Sequence, residues 1–291
     1  RWLAVRASTL PPLARSCPQF VASPVLEPDR TAGIRVAQIV DMTGKMTTSR
    51  LAGRRLLVVG ASSGIGRTLT ERAHALGGRV VAAARSVSPF SAEEIAYRRC
   101  DIRCADECER LIEEAVTELG GLDSIVFAAG ASPIAPLVTA DAATWRNVLD
   151  TNVLGAAMII RYALAALTES GGQGIFLTST MVGRPWPGMV PYSASRAALE
   201  ELLRGVRVEH PELRMSTVTV GPTRSGFERN WDVDAQATIE AWRAEGYLAA
   251  SGRSLAPLEV ADGLIDVMTS PLRIDHIDLL PPVRARQWTD R

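Results

Sequence analysis

Short apolar runs alternate with longer amphipathic stretches from residue 54 onward. The runs "RLLVVG" (55–60), "RVVAAAR" (79–85), "LDSIVFAAG" (122–130), "QGIFLTS" (173–179) and "LRMSTVTVG" (213–221) read as strands, with weaker ones in "AYRRCDI" (96–102) and "HIDLLPP" (276–282). Between them, "RTLTERAHALG" (67–77), "ADECERLIEEAVTELG" (105–120), stretches near 141–149 and 152–169, and "YSASRAALEELLRGVRVEH" (192–210) carry helical spacing. Strands that alternate with helices of this length imply βαβ units and a parallel sheet. Continuously apolar runs imply strands covered on both faces. The expected fold is α/β, with seven strands and helices in three layers.

The first 45 residues break this pattern. They are rich in Pro, Arg and Ser, hold no acidic residue before Glu27, and show no sustained periodicity. Three readings compete for residues 1–45: an organelle-import peptide, a loosely packed arm, or a stretch upstream of a true start at Met46. The third is favoured, and residues 46–291 are expected to form the working domain.

Composition narrows the partners. Apolar residues make up 47% of the 291, enough for a sizeable core. Charge balances at 32 basic and 32 acidic residues, which argues against bulk binding of nucleic acid. "VLGAAMIIRYALAAL" (153–167) is too short for a membrane span and carries Arg161, so a buried helix is expected. Four cysteines suit a reducing compartment, and a cytoplasmic protein is expected. Cys100, Cys104 and Cys108 recur every four residues, but that is not a common zinc spacing, and no metal is expected.

"LLVVGASSGIGRTL" sets Gly60, Gly64 and Gly66 at a strand-to-helix turn. Such a turn must reverse tightly, let backbone approach a pyrophosphate, and bring the helix close to the strand. The helix N-terminus then offers free N–H groups to phosphate. Nucleotide binding by Gly60, Ser62, Ser63, Gly64, Ile65 and Gly66 is expected. A P-loop is excluded, because Arg67–Thr68 follows where Lys and Ser/Thr would be required.

With its GxxxGxG spacing, the chain resembles the short-chain dehydrogenase/reductase family over about residues 50–285. The resemblance implies a Rossmann-like doubly wound sheet and an NAD(P) cofactor. After the second strand, "VVAAARS" has Ala84 where NAD users place an acid, followed by Arg85. A guanidinium holds a 2′-phosphate well, so NADP(H) is favoured over NAD(H), with Arg67 adding charge. The resemblance places Asp101 at the adenine, Ala129 and Gly130 against the cofactor, Asn152 on a relay water, and Thr223 at the carboxamide.

The family's catalytic pattern is Tyr-x-x-x-Lys with a Ser about thirteen residues earlier. Here Tyr192 is followed by Arg196, and Ser179 stands thirteen before the Tyr, with Thr180 as the fallback. Residues four apart share a helix face. Arg196 keeps the positive charge of the family's Lys but not its ability to give up a proton. The implied activity is hydride transfer between the cofactor and a small-molecule carbonyl or secondary alcohol, with Tyr192 as general acid/base. The competing reading is a non-catalytic NADP-binding sensor or scaffold. Residues 224–256 are expected to cover the substrate. The resemblance also implies a homodimer or homotetramer through the two long central helices.

Overall fold

The computed structural model of the protein describes residues 38–40, 46–91, 95–228, 231, 234–248 and 253–282. Most of the N-terminal stretch set apart by composition therefore lies outside the described residues, as does Cys17. Its described part, β1 (Gln38–Val40), pairs antiparallel with β2 (Met46–Thr48), so this ribbon straddles the boundary expected at residue 45.

The remaining strands are β3 (Arg55–Val59), β4 (Arg79–Ala84), β5 (Ala96–Arg99), β6 (Ser124–Phe127), β7 (Gln173–Ser179), β8 (Arg214–Val220) and β9 (His276–Leu279). They form one parallel sheet in the order β5-β4-β3-β6-β7-β8-β9. All seven expected strands are present. The weak run at 96–102 is strand only to Arg99, because the chain turns away at Cys100–Asp101 to enter a helix.

Alternation along β3 explains the layers. Leu57 and Val59 face one core together with Cys108, Leu111 and Ile112 of α2 (Ala105–Leu119), Ile159 and Ala163 of α4 (Gly155–Ser170), and Leu199 and Leu203 of α5 (Val190–Glu209). Leu56 and Val58 face the opposite core with Leu69 and Ala73 of α1 (Gly64–Ala75) and Val260, Leu264 and Ile265 of α7 (Pro257–Thr269). Each buried Leu or Ile removes enough apolar surface to contribute about 1.5–3 kcal/mol. The sheet is thus sealed on both sides, which is why its strands read as unbroken apolar runs.

Two departures from the sequence reading matter. The helices expected at 141–149 and 152–169 are one continuous helix: α3 (Ala142–Leu149) passes into α4 through a π turn at Asp150–Leu154. This helix, Ala142–Ser170, is long and apolar enough to cross a membrane by length and composition. In the fold, its Ala156, Ile159, Ile160, Ala163 and Leu167 are buried in the core. The second departure is α7, which the sequence reading missed. Its signal was present: Val260, Ala261, Leu264, Ile265 and Met268 recur at helical spacing after Pro257. A further short helix, α6 (Ala235–Ala244), lies within the expected substrate cover.

Candidate functional site

In an open parallel sheet, the crevice for a ligand opens where strand order reverses, outside the C-terminal strand ends. Here that point lies between β3 and β6. The turn after β3 is drawn in tightly, with the Gly60 and Ala61 amides both donating to the Ala83 carbonyl at 2.8 and 3.0 Å. Gly60 has φ +92°, and a Cβ there would stand 2.5 Å from the Ala129 amide nitrogen. A Cβ on Gly64 would meet the Ser225 carbonyl at 2.5 Å, and one on Gly66 the Gly60 carbonyl at 2.3 Å. All three glycines are therefore required by close backbone approach. Ser63 precedes α1 in extended conformation without a side-chain cap, which leaves the first N–H groups of that helix for a ligand. Ser62 and Ile65 are half-buried beside it.

Arg85 is exposed directly after β4. Its carbonyl accepts a 3.2 Å hydrogen bond from Nε of Arg99, which the register places opposite Ala84. Arg99 is a basic residue that the sequence reading did not single out. Only the pairing of β4 with β5 brings the two guanidinium-bearing residues to one corner. Arg67, in contrast, is paired with Glu71 at 2.9 Å. Asp101 is bonded to the Arg103 guanidinium at 2.6 Å, and this partner, with Arg85 nearby, holds its carboxyl below the usual carboxylate range.

Ser179 closes β7, and its Oγ accepts from the Met181 amide at 3.2 Å. Tyr192 and Arg196 lie one turn apart near the start of α5, both buried. The Arg196 guanidinium stands 5.1 Å from the Tyr192 ring centroid. It donates to the Leu177 carbonyl at 3.1 Å and to the Ala129 carbonyl at 3.5 Å, while its Nε is buried without a partner. Among the described residues it makes no ion pair. Gly130 makes room for it, since a Cβ there would stand 2.1 Å from an Arg196 terminal nitrogen.

Asn152 sits in the π turn and is fully buried. Its Oδ1 accepts from the Ala131 amide at 2.7 Å, and its Nδ2 donates to the Ala131 carbonyl and to Ser195 Oγ, both at 2.9 Å. Ser195 Oγ in turn donates to the Tyr192 carbonyl at 2.7 Å. Asn152 thereby ties the loop after β6 to the helix that carries Tyr192. A π turn is a common device for aiming one side chain at a functional site. Neither it nor the Ser195 link is visible in residue spacing.

Beyond β8, Thr223 donates to the Gly221 carbonyl at 2.9 Å and pairs with Leu255. The segment then lays Phe227 edge-on against Tyr192, with ring centroids 5.3 Å apart at 76°. Thr180, the fallback for Ser179, is half-buried next to that serine.

A dinucleotide fits these residues. The glycine turn leaves room for backbone contact only, the start of α1 has free donors, and buried Arg196 Nε lacks an acceptor. Fold and crevice together define a dinucleotide-binding protein of the open parallel α/β class. Comparison with known proteins narrows this. Residues 54–236 match the short chain dehydrogenase family, and the chain belongs to it. It is 31% identical over 225 residues to cis-4-hydroxycyclohexanecarboxylate dehydrogenase of Sinomonas cyclohexanicum, covering 73% of this chain and 88% of that one. It is 30% identical over 196 residues to 11-beta-hydroxysteroid dehydrogenase A of Sesamum indicum, covering 62% of this chain but only 56% of that relative's length. Among solved structures, a dehydrogenase/reductase from Sinorhizobium meliloti 1021 superposes with a TM-score of 0.66 at 29% identity, over 79% of this chain and 94% of the other.

Proposed function

We propose that the protein is an NADP-dependent oxidoreductase that interconverts a carbonyl and a secondary alcohol, with Tyr192 as general acid/base. The observation that carries this reading is the Tyr192–Arg196 pair, with the guanidinium 5.1 Å from the ring centroid and bonded to the Ala129 carbonyl in the loop that packs on the glycine turn. The relatives described above are named as dehydrogenases, which supports the same reaction class.

A nicotinamide cofactor held by these residues would supply or accept the hydride. Ser179 donates a hydrogen bond to the carbonyl oxygen, where charge develops. Tyr192 gives that oxygen its proton in reduction and removes it in oxidation. Arg196 holds a fixed positive charge beside the Tyr192 ring, and its unpartnered Nε would be free to donate to a ribose hydroxyl. Asn152 steadies the carbonyl side of the site and holds a relay water. Gly60, Ser62, Ser63, Gly64, Ile65 and Gly66 would cradle the pyrophosphate, Ala129 and Gly130 would line the cofactor, Asp101 would meet the adenine, and Thr223 the carboxamide. Arg85, with Arg99 at the same strand corner, would take the 2′-phosphate, which favours NADP(H) over NAD(H). The chain works as a homodimer or homotetramer in the cytoplasm.

The second reading, a non-catalytic NADP-binding sensor, draws on Arg196 in place of Lys and on Phe227 lying against Tyr192. Titration with NADPH and NADH, followed by NADPH consumption over a panel of carbonyl compounds, separates the two. Tight binding without turnover on any carbonyl would favour the sensor. Equal affinity for the two cofactors would remove the NADP preference.

A further inference from the structure

We infer that the substrate is an uncharged, ring-bearing ketone or its alcohol, and that its ring takes the place now filled by Phe227. This rests on the oxidoreductase reading above and names the substrate of that same site.

The wall in front of Tyr192 is aromatic. Trp186, Trp231 and Trp242 are half of the chain's six tryptophans, and they gather here from three separate segments. Ring follows ring edge-to-face: Tyr192 to Phe227 at 5.3 Å, Phe227 to Trp231 at 5.8 Å, Trp231 to Trp242 at 5.5 Å, and Trp242 to Trp186 at 5.1 Å. Met181, Met189 and Ile134 fill the gaps between them. Edge-to-face walls of this kind present alternating ring faces and edges, which accept another ring with little rearrangement.

Two of the wall's three indole N–H groups are already engaged. Trp231 Nε1 donates to the Ser132 carbonyl at 2.8 Å, and Trp242 Nε1 to the Pro187 carbonyl at 3.1 Å. A ligand ring there meets mostly hydrocarbon, and its reacting oxygen is left to Ser179 and Tyr192. Charge is kept to the edge. Arg184 is exposed, donates to the Gly246 carbonyl at 2.8 Å and stands 6.0 Å from the Tyr247 ring. Among the described residues the buried cation beside the cluster is Arg196, which is bonded to the Leu177 and Ala129 carbonyls and is assigned above to the cofactor, so a substrate carboxylate would be desolvated without a partner of its own.

Phe227 is the displaceable member. It is half-buried, whereas Trp186 and Trp242 are buried. Its carbonyl is held by Ser132 Oγ at a long 3.4 Å. Gly226 before it, at φ +74°, gives the backbone a pivot that other residues rarely allow. Its ring packs against the Tyr192 ring, and this is the place we assign to the substrate's ring, so that the two would exclude one another.

The test uses the full chain with NADPH and three ketones: trans-1-decalone (bicyclic), 2-decanone (acyclic, also ten carbons) and 4-oxocyclohexanecarboxylate (cyclic, anionic). Binding is read from tryptophan fluorescence, and turnover from NADPH consumption. Decalone is expected to bind and react at least ~10-fold better than either comparator. In Phe227→Ala, decalone should bind several-fold tighter, because no ring has to be displaced first. Preference for 2-decanone or for the anionic ring, with turnover intact, overturns the inference and leaves the oxidoreductase reading standing. Decalone binding with the stated preference but without NADPH consumption upholds the ring-binding place at Phe227, but overturns its assignment to a substrate and sinks the oxidoreductase reading. A ~10-fold loss of decalone affinity in Phe227→Ala would make Phe227 a wall of the site, and would overturn its role as a placeholder.

Discussion

The two halves of the site are built from different material. The cofactor half is made of backbone: three glycines whose Cβ atoms would each strike main-chain atoms within 2.5 Å, and a helix start without a side-chain cap. The half proposed for the substrate is made of side chains that meet from distant segments: Trp186 after β7, Phe227 and Trp231 after β8, and Trp242 on α6. The difference teaches where tolerance lies. A backbone cradle fails when any side chain is added, while an aromatic wall can change shape and therefore specificity. Tyr192 and Arg196 stand at the seam.

The sharpest break is at that seam. Tyr192→Phe removes the one proton donor assigned to the carbonyl oxygen, and turnover should fall by about a thousandfold with NADPH affinity kept. Retention of most turnover would end the mechanism. Next comes the fit between Gly130 and Arg196. Gly130→Ala places a methyl where the guanidinium lies and should lower turnover about 100-fold by misplacing it. Arg196→Lys alone should keep or raise turnover, and combined with Gly130→Ala it should restore most of what the alanine removed. If the two changes were simply additive, the steric coupling would be absent.

On the cofactor side, Gly60→Ala should destabilise the fold by about 1–3 kcal/mol through its positive φ, and weaken NADPH binding as the Ala129 backbone is pushed aside. Thermal melts with and without NADPH would read both effects. A smaller and more selective change is expected at the corner of β4 and β5. Arg99→Ala should raise the NADPH KM about 10-fold while leaving that for NADH unchanged, as expected for loss of a charge-assisted phosphate contact. An equal effect on both cofactors would assign Arg99 to structure alone.

The smallest effect belongs to Asp101. Arg103 holds its carboxyl below the ordinary value near ~3.9, so the pair adds stability above that pH and loses it as pH falls through the lowered value. Arg103→Ala should therefore cost at most about 1 kcal/mol near pH 6, since the pair is partly exposed, and progressively less as pH falls through the lowered value. Denaturant melts across that pH range would check this.

Much of the cofactor half was legible in the chain. Gly60, Gly64 and Gly66 can be read because each serves a local turn, and local geometry is written in consecutive residues. Ser179, Tyr192 and Arg196 could be read from spacing, since β7 and α5 are regular elements that carry spacing into space. The helix α7 was also written there, in its apolar period after Pro257, and was overlooked. Other features were not legible. The π turn under Asn152 leaves no residue signature, and Ser195 looks like any helical serine. Arg99 reaches Arg85 only through the register of β4 with β5.

By itself the sequence determined the alternating elements, the parallel sheet, the glycine turn and the one-turn spacing of Tyr192 and Arg196. These depend on periodicity and on conformations that only certain residues adopt. Tertiary structure alone decided that Gly130 makes room for Arg196, that Phe227 lies on Tyr192, and that three tryptophans from separate segments share one wall. Such contacts join residues far apart in the chain, and side-chain packing across that distance is set by the folded shape, not by any local pattern.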